Sequence, residues 1–402
     1  RFYENAEAVA AARWLYDSAK SGSIKAAPHR ARRYHGPVSG EGRHQDMLYV
    51  LPAVSVSFQK QSSKADITAG NGIYKLDGAT FDIFENAGDA RVGTIQTDEN
   101  GRAQATLLPN TAYYLVETKA PAGYIPRSDR IAFTTQNSGE HVTVNEQPGA
   151  ITLRIAKVDA ATDAGTQVGA SLAGAEFTCV SQSTPGWTRT LTTDENGQAI
   201  LDDVPLGTFT IYESRAPEGY LPSDETWSYT IGADQLGDAG VVELERRIPN
   251  VPIAFDLEIS KFKDYGNSDG SGIEQPAEGV TFEVVSNTSQ QVVGTLTTNI
   301  YGFASTKDQA GAWFGAGKRP DGVSGTIPYD RAGYTVREVV DTVPDGFKQT
   351  GEWTITAEQV SDGAELQYIV DNHALSTHLQ IVKRDAKTGH AVPRAGFTFQ
   401  LL

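Results

Sequence analysis

The chain has 402 residues, 40 of them glycine, with one methionine, one cysteine and a formal net charge of -16. That length is too great for one β domain, so several are expected, and the acidic balance argues against nucleic acid as a partner. Cys179 alone cannot close an internal disulfide, and no apolar run is long enough to insert in a membrane.

Residues 4–20 (ENAEAVAAARWLYDSAK) set Val9, Ala12, Leu15, Tyr16 and Ala19 at helical spacing, with Gly22 as the stop. Lys25, His29, Arg30, Arg32, Arg33, His35, Arg43 and His44 follow as a basic island, read as a solvated loop in preference to an anion site. Met47–Leu51 then reads as a strand closed by Pro52. One helix and one strand do not make a domain. Residues 1–52 are therefore expected to be the tail of a truncated N-terminal domain, and the chain to be a fragment of a longer protein.

From Ala53 the pattern is short strands separated by Gly, Pro and Asn turns, which predicts an all-β fold. The segments repeat. An opening strand recurs as VSVSFQK (54–60), LRIAK (153–157), LEISK (257–261) and LQIVK (379–383). A second strand follows as LDGATFDIF (76–84), LAGAEFTCV (172–180), AEGVTFEVV (277–285) and RAGFTFQLL (394–402). Turns at QTDENGRA (96–103), TTDENGQA (192–199) and TTNIYGFA (297–304) precede a strand that ends in glutamate. That strand reads YYLVETKAPAGY (113–124), FTIYESRAPEGY (209–220) and YTVREVVDTVPDGF (334–347), and a closing strand completes each repeat. One repeat is the length of a small β-sandwich. The expected architecture is an elongated tandem array: 53–149, 150–252 and 253–376 as three sandwiches, and 377–402 as the start of a fourth.

Strand side chains alternate between faces, so parity tells which residues look inward. Lys60, Lys157, Lys261 and Lys383 each share parity with the apolar residues of their opening strand. Glu117, Glu213 and Glu338 do the same in the glutamate strands, and Asn250 and Asn372 in the closing strands. A buried Lys–Glu ion pair steadied by an amide is one reading of this trio. The other is a reaction. Burial pushes a lysine toward the neutral amine and a glutamate toward the acid; the amine is then a nucleophile, and the acid hydrogen-bonds and polarises the Asn carboxamide. Held in proximity, the pair would form a Lys–Asn amide with loss of ammonia, with the tethering logic of a disulfide and no need for cysteine.

Together the Φ-x-Φ-x-Lys strand, GA-x-F, TTDENG, Y-x-Φ-x-E-x-x-AP-x-GY and a closing Asn resemble the Cna B-type (SpaA-like, prealbumin-like) isopeptide-forming domains of Gram-positive surface adhesins and pilins. The resemblance covers residues 53–402. It implies Ig-like, prealbumin-like sandwiches on the bacterial cell wall, attached to peptidoglycan through a sortase signal outside this segment and facing a host-surface or matrix ligand. It implies no cofactor or metal and no enzyme activity beyond self-directed bond formation. Carried over residue by residue, it gives Lys157–Asn250 assisted by Glu213 and Lys261–Asn372 assisted by Glu338, and makes Lys383 the start of an incomplete fourth site. The first repeat departs from the pattern: Glu146, not Asn145, shares parity with Val142 and Val144, so Lys60–Asn145 with Glu117 needs a bulge or a shifted register. Residues 1–52 resemble, more faintly, the end of a thioester adhesin domain.

Two further readings compete. The insertion Lys307–Pro328, with Trp313, Phe314 and Arg319, has the residue types of a carbohydrate- or protein-binding surface, although a Gly-rich loop packed on its own domain is the preferred reading. The acidic loop 264–274 (DYGNSDGSGIE) hints at calcium, although its spacing is not that of a helix–loop–helix site and a solvated turn fits better. Cys179 sits in a strand pattern and reads as a buried structural thiol.

Overall fold

The structure is a computed structural model. It describes residues 53–163, 169–237, 239–266, 273–309, 313–314, 318–376, 380–393, 396, 398 and 400, together with two strands near the start. The expected helix 4–20 and most of the basic island lie outside the described residues. Of the island, Ala31–Tyr34 is a strand paired antiparallel with Met47–Val50, so that part is a hairpin arm and not a loop.

The rest is strand and turn, as the sequence predicts, and it divides into two compact units. The first (Arg1–Lys157, Leu172–Pro217, Pro222–Ile248) contains two sandwiches. In one, a three-stranded sheet ordered Arg102–Leu107, Val54–Ser62, Glu140–Glu146 faces a four-stranded sheet ordered Ala90–Gln96, Thr80–Glu85, Ala112–Lys119, Ile131–Thr134. Val56, Phe58, Phe81, Ile83, Tyr113, Leu115, Val142 and Val144 fill the space between them. The other repeats that order with Gln198–Val204, Ala150–Asp159, Val241–Asn250 over Thr188–Thr192, Glu176–Ser181, Gly207–Arg215, Thr226–Ile231. Cys179 is fully buried in its core, and burial pushes its thiol up to about 12, which makes it an apolar filler.

A short helix, Ala65–Thr68, joins the two cores. Ile67 and Tyr74 pack into the second core. The Tyr74 hydroxyl accepts from Leu206 N at 2.8 Å and donates to Gly149 O at 2.9 Å, while Asn71 Nδ2 donates to Leu206 O and Thr184 Oγ1. The Tyr74 hydroxyl and the Asn71 amide thereby have partners, as burial requires.

The second unit (Val158–Ser171, Glu218–Leu221, Pro249–Leu402) has the same plan. Ala254–Asp264 is the central strand of one sheet, pairing with Glu274–Pro276, Phe303–Ser305, Ile327–Pro328 and Glu365–His373. The opposing sheet runs Val292–Thr297, Thr281–Ser286, Tyr334–Glu338, Trp353–Ile355. In both units the opening strand lies parallel to a closing strand 84 or 109 residues later: Val56–Ser62 beside Glu140–Glu146, and Asp256–Asp264 beside Glu365–His373.

The expected strands of a fourth repeat are not formed among the described residues. Residues 380–393 make a turn closed by one bridge, Arg384 to Ala391, and Lys383, Ile381 and Val382 are exposed. An amphipathic strand needs a second sheet to cover its apolar side, and none covers 380–393 among the described residues.

Candidate functional site: buried lysine clusters at the strand ends

Each opening strand brings one lysine inside. Lys60, Lys157 and Lys261 are 1%, 2% and 0% exposed, among the most deeply buried side chains in the protein. Three features recur at each. The lysine N–H donates to a glycine carbonyl of the opposite turn: Lys60 to Gly101, Lys157 to Gly197 and Lys261 to Gly302, at 2.8, 2.8 and 2.7 Å. Those glycines sit at φ near +70°, and a Cβ on Gly302 would stand 2.3 Å from Lys261 O, so no other residue fits there. Next, the ammonium lies over the face of the GA-x-F phenylalanine: Lys60 over Phe81 at 4.7 Å, Lys157 over Phe177 at 5.2 Å and Lys261 over Phe282 at 5.7 Å. Last, a glutamate from the neighbouring sheet reaches it.

Lys157 Nζ donates to Glu213 Oε1 at 2.8 Å, and Lys60 Nζ to Glu117 Oε1 at 2.6 Å. Lys261 Nζ stands 3.5 Å from Glu338 Oε1 and donates no hydrogen bond among the described residues. The far oxygen of each glutamate is held by a backbone N–H three residues beyond the turn aromatic: Arg127 N to Glu117 and Ser223 N to Glu213 at 2.8 Å, Thr350 N to Glu338 at 2.7 Å. The Pro-x-Gly-aromatic turn thus does more than reverse the chain; it aims the carboxylate. Sequence reading noted the turn but not this donor, although the fixed count of three from Tyr124, Tyr220 and Phe347 would have located it. Burial holds Lys157 and Lys261 below the ordinary lysine range, with their glutamate neighbours opposing it.

The closing strands supply the third member. In the second unit Asn372 is fully buried; its Nδ2 donates to Glu338 Oε2 and to Lys348 O, both at 2.9 Å. Asn372 pairs with Lys263 across the parallel ladder, which puts it on the same face as Lys261, one diagonal step along. Lys261 Nζ, Glu338 Oε1 and Asn372 Oδ1 are all buried and make no hydrogen bond among the described residues. Asn250 is likewise buried at the end of its strand, its Nδ2 donating to Leu221 O at 3.0 Å, the counterpart of the Asn372–Lys348 contact.

The first repeat differs, as the parity of its closing strand warns. Asn145 is exposed and accepts from Gln61 Nε2 at 2.7 Å, so the structure does not bring Asn145 to Lys60. The ladder is regular, with Gln61 opposite Asn145 and Ser62 opposite Glu146, and no bulge turns the asparagine inward. Glu146 occupies the inward position, 1% exposed, with Oε1 3.1 Å from Lys60 Nζ.

The described part of the third repeat's insertion packs on its own unit. Trp313 and Phe314 are buried in the core of their own unit. The Trp313 ring covers Gly294, where a Cβ would lie 2.2 Å from it, and Arg319 donates to Val323 O within the loop. These aromatics are core, not a ligand-facing surface. Residues 267–272 of the acidic loop, where calcium was weighed, lie outside the described residues.

Tandem two-sheet sandwiches with a lysine, a phenylalanine and a glutamate buried at one fixed place define a family of repeats. Residues 61–148 and 152–244 each match the SpaA prealbumin-like fold domain and belong to that family. Among solved structures, the Bacillus anthracis TIE protein is similar at 19% identity and a TM-score of 0.50, over 86% of this chain and 58% of that one. The chain therefore spans a little over half the length of that relative. BcpA, the major pilin subunit of Bacillus cereus, is matched at 12% identity and a TM-score of 0.26, over 80% of this chain and all of that one. A C-terminal fragment of the pilus adhesin SpaC from Lactobacillus rhamnosus GG is matched at 18% identity and a TM-score of 0.31, over 50% and 98%. No curated protein sequence matches the chain.

Proposed function

We propose that this chain is a structural segment of a Gram-positive cell-surface adhesin or pilin-like protein, whose sandwiches are locked by self-formed Lys–Asn isopeptide bonds. The observation that carries the reading is the Lys261–Glu338–Asn372 trio: three fully or almost fully buried groups, with unpartnered polar atoms on each, converging from three strands. An unsatisfied buried polar atom costs about 1–3 kcal/mol, and three together are hard to explain as a device for stability alone. They are the atoms that would be consumed or rearranged by a reaction.

The chemistry follows from the placement. Burial favours the uncharged Lys261 amine, and transfer of its proton to Glu338 leaves a neutral acid 2.9 Å from the Asn372 carboxamide. Nζ attacks Asn372 Cγ, the Cγ–N bond to the amide nitrogen breaks, and ammonia leaves with a proton relayed by Glu338. The product is a secondary amide with no buried charge. Lys157, Glu213 and Asn250 are assigned the same roles from the matching motif positions and the matching contacts of each residue. The opening and closing strands run parallel, so tension on the two chain ends shears them past one another, and a covalent tie between them would bear that load directly.

Attachment to the cell wall by a sortase signal elsewhere in the protein, and a host-surface or matrix ligand, belong to the same proposal. The burial of Trp313 and Phe314 gives no support to the alternative in which the inserted loop binds carbohydrate or protein. The test is the intact mass of the recombinant chain beside its Asn372→Ala variant. Wild type is expected to fall short of its sequence mass by one ammonia per bond, and the variant to regain one. Equal sequence and measured masses would leave the trio as a polar cluster.

A further inference from the structure

In the first repeat the acceptor position is held by a carboxyl group, and we infer that Lys60 forms its bond with Glu146, an amide closed by loss of water and not of ammonia. The inference rests on the reading above but changes the acceptor, the leaving group and the charge of the site. Three registers agree on Glu146 as the counterpart of Asn372 and Asn250. The turn aromatics bridge to residues two beyond each: Tyr124 to Pro148, Tyr220 to Pro252 and Phe347 to Ala374. The next backbone N–H donates to the carbonyl one beyond each: Ile125 to Gln147, Leu221 to Val251 and Lys348 to His373. Along the parallel ladder, Glu146 stands opposite Ser62 as Asn372 stands opposite Lys263, two residues past the lysine in both.

The contacts suit a condensation. Lys60 Nζ lies 2.6 Å from Glu117 Oε1 and 3.1 Å from Glu146 Oε1, and the latter oxygen accepts no hydrogen bond among the described residues. Two carboxyl groups and one ammonium share a site that excludes water from all three side chains. Such a cluster holds a proton on one of the acids. Burial raises Glu146 above the usual carboxyl range, with Lys60 opposing, which favours the acid form that the condensation needs. Arg127, whose counterparts are Ser223 and Thr350, brings a guanidinium 3.8 Å from Glu146 Oε1, the only one of the three positions to carry a cation.

The step balances. Glu117 takes one proton from the Lys60 ammonium and frees the nitrogen lone pair. Nζ attacks Cδ of the protonated Glu146, the N–Cδ bond forms, and the bond from Cδ to the hydroxyl oxygen breaks. The hydroxyl departs with a second proton from the nitrogen as water, and Glu117 remains protonated. Ammonium, carboxylate and acid become amide, acid and water, with no charge left inside. Glu146 forms part of the wall of a surface crevice of about 240 Å³ with Ile125–Asp129 and Asn145–Gln147, an exit for the water.

Peptide mapping of the full chain by tandem mass spectrometry tests this. The expected result is a branched peptide joining the segments of Lys60 and Glu146, one water below their sum. In Glu146→Gln the same pair should join with loss of ammonia, and in Lys60→Arg both segments should appear linear. Linear Lys60 and Glu146 peptides from the wild type would overturn the inference, as would a Lys60–Asn145 branch. The same digest reports Lys261 and Asn372. Linked there but linear at Lys60, only the present inference fails; linear at both, the wider reading fails with it; linked only at Lys60, the wider reading alone fails.

Discussion

The first and third repeats place the same lysine, phenylalanine and glutamate on the same strands, and differ in one residue on the closing strand. In the third that residue is a neutral carboxamide, Asn372, and Lys261 makes no side-chain hydrogen bond among the described residues. In the first it is a second carboxyl group, Glu146, and Lys60 is gripped by two acids within 3.1 Å. One scaffold thus sets a buried lysine beside either a carboxamide or a second carboxyl group. The difference teaches that the scaffold fixes geometry, through the glycine turn, the aromatic face and the backbone N–H on the glutamate, while the closing-strand residue sets the charge of the site.

The largest effect that would sharpen this comparison comes from Glu338→Ala. It removes the proton carrier, so no bond forms in the third repeat, and it leaves Lys261 without its acid. A tie across a loop of about a hundred residues is worth roughly 4–5 kcal/mol, which for a small domain corresponds to a fall of about 20 °C or more in Tm. Calorimetry should show one transition moving by that amount while another stays. A change of only a few degrees would mean that the third repeat carries no tie.

Trp313→Ala comes next. A tryptophan filling the core over Gly294 should cost about 3–5 kcal/mol on truncation, read by denaturant unfolding as a lower midpoint with little change in slope. A loss under about 0.5 kcal/mol, typical of an exposed loop residue, would return the insertion to the surface and revive a binding role.

The smallest effect is the dependence on pH. In Asn372→Ala the Lys261 amine has no acceptor and remains free to titrate. Its folded pKa lies below the unfolded value of 10.5 because of burial. Between the two the unfolded chain binds more protons, so stability should rise with pH through that window and be lost as pH falls through the folded pKa. Adding Lys261→Met should flatten the slope. In the wild type an amide nitrogen cannot titrate, and the slope should also be absent.

Most of the fold was legible in the sequence because a two-residue period and glycine turns are local signals. Lys60, Lys157 and Lys261 each lie on the apolar face of their strand, and parity alone predicts their burial. Parity also marks Glu146 as inward and Asn145 as outward; an inward Asn145 needs a bulge, and the ladder is regular. What could not be read was long-range. Arg127, Ser223 and Thr350 act through backbone N–H groups, which carry no residue signature. Trp313 is buried because it meets Gly294 across the unit, a contact that no local period announces. Lys383 shares the motif of the other three but meets no opposing sheet among the described residues, and a lysine at the end of a strand is buried only where a second sheet covers it.

The measurement that bears most directly on the central claim is tandem mass spectrometry of the peptide pair spanning Lys261 and Asn372 in the wild-type chain. The account predicts one branched species, lower by one ammonia than the sum of the two segments, and its disappearance in Asn372→Ala. Two linear peptides of unchanged mass from folded wild-type protein would contradict it.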